Sequence, residues 1–117
     1  MDPIDFSVLD EFKELMGDEG EEEVKELVTL YLEDGPTQLR LMRESLGNGD
    51  IESFRRAAHS FKSSCGNIGA LGLQALCLDL EQKAADSGLD EACTPLVSQA
   101  EALFSDVKTA LNGYIAS

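Results

Sequence analysis

Residues 50–70 read DIESFRRAAHSFKSSCGNIGA, and this stretch sets the reading of the whole chain. On a helical wheel of about 100° per residue, Phe54, Ala57, Phe61, Ser64, Cys65 and Ile68 fall on one side, with Phe61 near the centre of that arc. His59 falls almost opposite, and Glu52, Arg55, Arg56, Lys62, Ser63 and Gly66 lie within roughly 60° of it. A segment apolar on one side and polar on the other is an amphipathic helix whose apolar side must be covered by partners. Gly47-Asn48-Gly49-Asp50 precedes it with Asp50 as its cap, and Gly66 and Gly69 mark its end near Asn67.

The flanking segments supply those partners. Upstream, Val24, Leu27, Val28, Tyr31, Leu32, Leu39, Met42 and Leu46 form a single stripe that resumes in phase after Gly35-Pro36, so one long kinked helix is predicted rather than two. Before it, Ser7 to Asp10 reads as a cap with an acidic third position. Val8, Leu9, Phe12, Leu15 and Met16 then follow helical spacing to Gly17. Downstream, Leu73, Leu76, Cys77, Leu80 and Ala84 define a helix over 70–87 closed by Gly88. The last helix starts at Asp90 or Thr94, with Pro95 suited to a first position, and carries Leu96, Val97, Ala100, Phe104, Val107, Leu111 and Tyr114. The prediction is an all-α protein: an antiparallel up-down four-helix bundle with a short additional N-terminal helix, forming one domain over 1–117.

Composition narrows the function. The 117 residues carry 9 Lys+Arg against 23 Asp+Glu, a net charge of −14 that repels a phosphate backbone, so nucleic-acid binding is not expected. No apolar run approaches the ~18 residues of a membrane span, and the N-terminal MDPIDF lacks the charged and apolar regions of a signal peptide. A cytoplasmic protein without membrane insertion is the expectation. Cys65, Cys77 and Cys93 are odd in number without a CxxC pair, so they read as small buried apolar residues rather than a disulfide or zinc framework.

The chain has one histidine, and three of its nine basic residues lie within four positions of it. Screening confines surface electrostatics to about 8 Å at physiological salt, so this cationic patch acts locally despite the global acidity. An exposed imidazole with an ammonium at i+3, a hydroxyl at i+4 and no side chain at i+7 offers a nucleophile, charge compensation, a donor and open space. Those are the requirements for accepting a phosphoryl group. No phosphate-cradling GxxxxGK[ST] or GxGxxG loop is present, so nucleotide cleavage is not encoded here. His59 and Cys65, six residues and about 240° apart on one helix, cannot share a metal ion without outside ligands.

The block from Ala58 to Ala70 (AHSFKSSCGNIGA) resembles the signature of histidine phosphotransfer (HPt) domains, A-H-x-L-K-[GS] followed by a small residue and a Gly-Ala pair. The preceding Gly-Asn-Gly-Asp turn and the later Leu80-Glu81 are also similar. The resemblance implies that His59 is the phosphoacceptor, that Lys62 stabilises the phosphate, and that Gly66 leaves room for the incoming partner. Ser63, where the family often has Gly, adds a hydroxyl to the phosphate environment, and Phe61 replaces the more usual Leu. Glu81 matches the position that hydrogen-bonds the histidine ring from the next helix; acceptance from Nδ1 leaves Nε2 as nucleophile. On the wheel Glu81 and Gln74 lie at the border of the inner stripe. A pairing of Glu81 with Lys83 or Lys62 alone is the ordinary alternative.

The resemblance further implies partners: response-regulator receiver domains and an upstream hybrid histidine kinase, met by a monomer through Arg55, Arg56, Leu71, Gln74 and Leu78. No cofactor is expected on this chain, with Mg2+ expected in the partner receiver. A second class stays open, a non-catalytic helical adaptor that binds signalling proteins through the Leu71/Leu78 face, and retention of function after His59→Gln distinguishes it.

Overall fold

In the computed structural model, residues 3–116 are described; Met1 and Asp2 of the N-terminal hexapeptide, and Ser117, lie outside the described residues. A first helix, α1 (Phe6–Leu15), leads through a single 3-10 turn at Gly17–Glu19 into α2 (Gly20–Asn48), α3 (Ile51–Ile68), α4 (Leu71–Ser87) and α5 (Cys93–Ala116). Connections this short between long helices force each to reverse on its predecessor. Accordingly α3 packs between α2 and α4, α5 closes the ring against α2 and α4, and α1 lies against α2 and α3. At 1.5 Å per residue the 29-residue α2 is about 43 Å long, which sets most of the 47 Å long axis.

The turns follow local chemistry. Asp50 caps α3 by accepting from the Ser53 amide, and Gly49 ends α2 in the left-handed region at φ 70°. Gly69, at φ 91°, caps the other end of α3; a Cβ there would stand 2.5 Å from the Asp5 carbonyl oxygen. The Asp5 amide in turn donates to the Gly69 carbonyl at 2.8 Å, which pins the N-terminal segment to the α3/α4 corner.

One core runs through the ring. Phe54, Phe61, Leu9, Met42, Ile68, Leu73, Leu80 and Leu111 are fully buried, and Tyr31, Phe61 and Phe104 meet with ring centroids 5.7 to 5.9 Å apart. The predicted inner stripe of α2 is buried or half-buried throughout, and α2 continues through Pro36 as one helix. The glycine before that proline has a packing reason: a Cβ on Gly35 would stand 2.4 Å from the Phe104 ring. All three cysteines are free and buried, as their reading required.

Several boundaries differ from expectation. The cap of α1 is Asp5 rather than Ser7; Asp5 accepts from the Ser7 amide at 3.1 Å and the Ser7 hydroxyl at 2.6 Å, so Ser7 is the capped residue. Leu15 and Met16 are exposed, because α1 ends before any helix covers them. Gly66 lies inside α3 rather than at its end, and α5 starts at Cys93, which makes Pro95 its third residue. Both placements of Pro95 fall in the first turn, where amides lack intrahelical acceptors.

Candidate functional site

Because α3 and α4 run back from the tight turn at Gly69-Ala70, residues equally far from that turn face each other. His59, on the solvent side of α3, therefore meets Glu81 of α4 across the helix pair. The imidazole Nδ1 stands 2.8 Å from Glu81 Oε2, and Lys62 Nζ donates to Glu81 Oε1, also at 2.8 Å. One carboxylate thus holds both neighbours, each on its own oxygen. An ionised carboxylate only accepts, so the proton of the neutral ring sits on Nδ1 and the Nε2 lone pair is free. The His59 side chain is 62% exposed, whereas Lys62 and Glu81 are 22% and 19% exposed. The ring therefore projects from a base that is largely shielded.

The electrostatics fit this arrangement. Partial burial pushes the Glu81 carboxyl up, but hydrogen bonds from Lys62 and then His59 outweigh it and hold the group below its ordinary value. The carboxylate is therefore ionised at neutral pH. Among the described residues no charged side chain is buried in the core, where the Tyr31 hydroxyl and Cys65 Sγ lie 3.2 Å apart. Burial drives the Tyr31 hydroxyl far above its usual range, and hydrogen bonding with Cys65 followed by burial does the same to the Cys77 thiol.

The remaining candidates spread along the same face. Ser63 and Arg55 are exposed and make no hydrogen bond or ion pair among the described residues, while Arg56 donates to Glu52 within its own helix at 2.8 Å. Leu71 and Leu78 are exposed on α4. Gly66 differs from its reading: the space beside it is not open, since a Cβ there would stand 2.4 Å from Gln74 Nε2. The glycine makes room for an α4 side chain, and Gln74 forms that part of the surface. Ser64, placed with the apolar arc, is only half-buried and donates to the Ser60 carbonyl.

The α2 side of this face escaped sequence reasoning. Leu30 and Leu41 are exposed on α2, and a shallow groove between α2 and α3 is lined by Gln38, Leu41, Ser53, Arg56, Ala57 and Ser60. The signal was present, since both leucines lie off the inner stripe of α2 just as Leu71 and Leu78 lie off that of α4.

An exposed histidine held at Nδ1 from the adjoining helix of a four-helix ring invites comparison with known proteins, and the Hpt domain family model matches residues 26–110. The chain belongs to the Hpt domain family. The crystal structure of histidine-containing phosphotransfer protein B (HptB) from Pseudomonas aeruginosa PAO1 aligns with a TM-score of 0.86 and 30% identity, covering 97% of this chain and 95% of that one. Sensor protein TorS of Escherichia coli (strain K12) is 34% identical over 80 residues, 68% of this chain but 8% of that protein. In this Hpt domain no group of three or more His, Cys, Asp or Glu among the described residues could hold a metal ion, and His59 and Cys65 lie on opposite sides of α3. Among the described residues no helix is long and apolar enough to cross a membrane.

Proposed function

We propose that His59 accepts a phosphoryl group from the phospho-aspartate of a response-regulator receiver domain and passes it to another receiver in a two-component phosphorelay. The observation that carries this reading is the Nδ1 contact with Glu81 on a largely exposed ring, which in the neutral imidazole leaves the Nε2 lone pair without a partner among the described residues. In the transfer the Nε2 lone pair forms the N–P bond while the acyl P–O bond breaks, and its electron pair leaves on the partner's aspartate. Lys62 sits where it can neutralise the arriving charge, and Ser63 and the Gln74 side chain packed over Gly66 border the approach. The Mg2+ expected in the receiver supplies Lewis-acid stabilisation from that side. Histidine is a phosphocarrier here, with no nucleotide chemistry of its own. We place the docking surface at Arg55, Arg56, Leu71, Gln74 and Leu78, and read the chain as one cytoplasmic monomeric domain over 1–117 fed by a hybrid histidine kinase.

Incubation with a phosphorylated receiver tests this. Wild type becomes labelled with an acid-labile phosphate and His59→Gln does not; equal labelling of the variant removes His59 from the role. An adaptor, by contrast, keeps its cellular output after His59→Gln.

A further inference from the structure

Around the His59 ring the charges cancel in pairs, save one. Lys62 is paired with Glu81 at 2.8 Å and Arg56 with Glu52 at 2.8 Å. Arg55 is exposed and makes no hydrogen bond or ion pair among the described residues. It stands four positions before His59, one turn away on the same side of α3, which puts the two Cβ atoms about 6 Å apart. With a neutral ring this face therefore carries one net positive charge, and Arg55 supplies it. Elsewhere the other six of the nine cations stand against the other 21 of the 23 acids.

A loaded receiver has the opposite sign. Its phosphoryl group carries about two negative charges, and Mg2+ is held by about one or two carboxylates besides the phosphate oxygens. The metal cancels the phosphoryl charge and leaves the carboxylates, so that site stays anionic. We propose that Arg55 steers the loaded receiver onto His59, and that its pull is stronger when the phosphoryl group arrives than when it leaves. On transfer the α3 face gains about two negative charges and one positive charge, since the ring keeps its Nδ1 proton and becomes a cation, and the face turns neutral. The receiver meanwhile exchanges a phosphoryl dianion for an aspartate monoanion. Both sides lose charge, so the attraction that assembled the pair weakens once the N–P bond has formed. The acidic remainder of the chain has a part in this as well: it repels an anionic site from the other faces within about 8 Å, which leaves the α3 face as the favoured approach. The inference rests on His59 being the phosphoacceptor. Arg55 makes no hydrogen bond to the ring and acts on the encounter, so it is a positioning residue.

The test uses the whole chain and a phosphorylated receiver that labels its His59. Second-order rates are read at about 0.01 M salt, where the Debye length is about 30 Å, and at about 1 M, where it is about 3 Å. At low salt Arg55→Gln slows loading roughly four-fold, the factor that two unit charges about 5 Å apart contribute in water, and the difference from wild type closes at high salt. Arg55→Lys, which keeps the charge, restores the rate. Lys108→Gln removes the same charge from the exposed side of α5, a helix that does not touch α3, and changes loading far less. Unloading of the phosphorylated chain to the unphosphorylated receiver falls less steeply with salt than loading does. A loss in Arg55→Gln that persists at high salt, no rescue by lysine, or an equal loss in Lys108→Gln overturns steering by Arg55. Equal salt slopes in the two directions overturn the change of pull on transfer. A wild-type chain labelled by phosphorylated receivers on a residue other than His59 overturns the phosphoacceptor reading itself.

Discussion

Gly66→Ala separates the demands of the bundle from those of the site. Gly66 lies within α3 and its φ is not positive, so the backbone admits alanine, which a helix interior favours over glycine by about 0.5–1 kcal/mol. Against that gain, the added Cβ would stand 2.4 Å from Gln74 Nε2 and 3.2 Å from its Cδ. The amide must retreat by about 1 Å to reach an ordinary 3.5 Å separation. It is the far end of a flexible side chain, and a distorted rotamer costs about 0.5–1.5 kcal/mol. The terms nearly cancel, so stability should stay within about 1 kcal/mol of wild type, roughly 4 °C in Tm for a domain of this size. Phosphotransfer should suffer more, because Gln74 is displaced by about 1 Å on the face that receives the partner, and misplacements of that size cost up to about 100-fold in rate. Thermal melts followed by circular dichroism, beside initial rates of transfer from a phosphorylated receiver, read the two effects separately. A Gly66→Leu variant extends the series by placing a larger group on the same face. A fall in Tm of more than about 8 °C for Gly66→Ala shows that the backbone, and not one amide, fills the space. Unchanged transfer in both variants shows that the partner does not use it.

Three further predictions follow from the same geometry. Phe61→Ala, which empties a fully buried ring position between Tyr31 and Phe104, should cost roughly 3 to 5 kcal/mol in denaturant melts, whereas His59→Gln should lie within about 0.5 kcal/mol of neutral; a comparable loss in the histidine variant contradicts its place on the outer face. Since Glu81 is held below its ordinary value, its contribution is fully present above the unfolded carboxyl range, near pH 4.3, and is lost as pH falls through the lower folded value. The difference in melting temperature between wild type and Glu81→Gln should therefore shrink as pH falls below about 5; a difference that grows over that acidic range reverses the sign. Finally, Asp5→Ala should lower helicity and Tm more than Ser7→Ala, because Asp5 is the acceptor of both contacts at the start of α1.

The legible parts of this protein are those governed by local periodicity. The α2 stripe keeps its phase across Pro36, Asp50 precedes a run that only a helix satisfies, and Gly49 and Gly69 stand where left-handed turns are needed. From the turn at Gly69-Ala70, antiparallel register brings His59 opposite Glu81, so this contact follows once two neighbouring helices are recognised. What sequence could not supply was the third dimension. Gly35-Pro36 reads only as the site of a kink, yet the missing side chain of Gly35 accommodates a ring from α5, some seventy positions away in sequence. Gly66 reads as open space, yet Gln74 covers it. Asp5 and Ser7 are both good caps, and the choice turns on Asp5 also being pinned to Gly69. Leu15 and Met16 follow helical spacing, but neither joins the core. Lys62 shows the limit within the site itself, because its pairing with Glu81 reads in sequence as an alternative to the histidine contact, whereas one carboxylate holds both, each on its own oxygen.

The central claim is that the ring presents Nε2, and not Nδ1, to an incoming phosphoryl group. Two-dimensional NMR of uniformly 15N-labelled protein, phosphorylated by a receiver, assigns the phosphorus to one ring nitrogen through its one-bond coupling. The account predicts phosphorus on Nε2 with the Nδ1 proton retained toward Glu81; phosphorus on Nδ1, or on a residue other than His59, contradicts it.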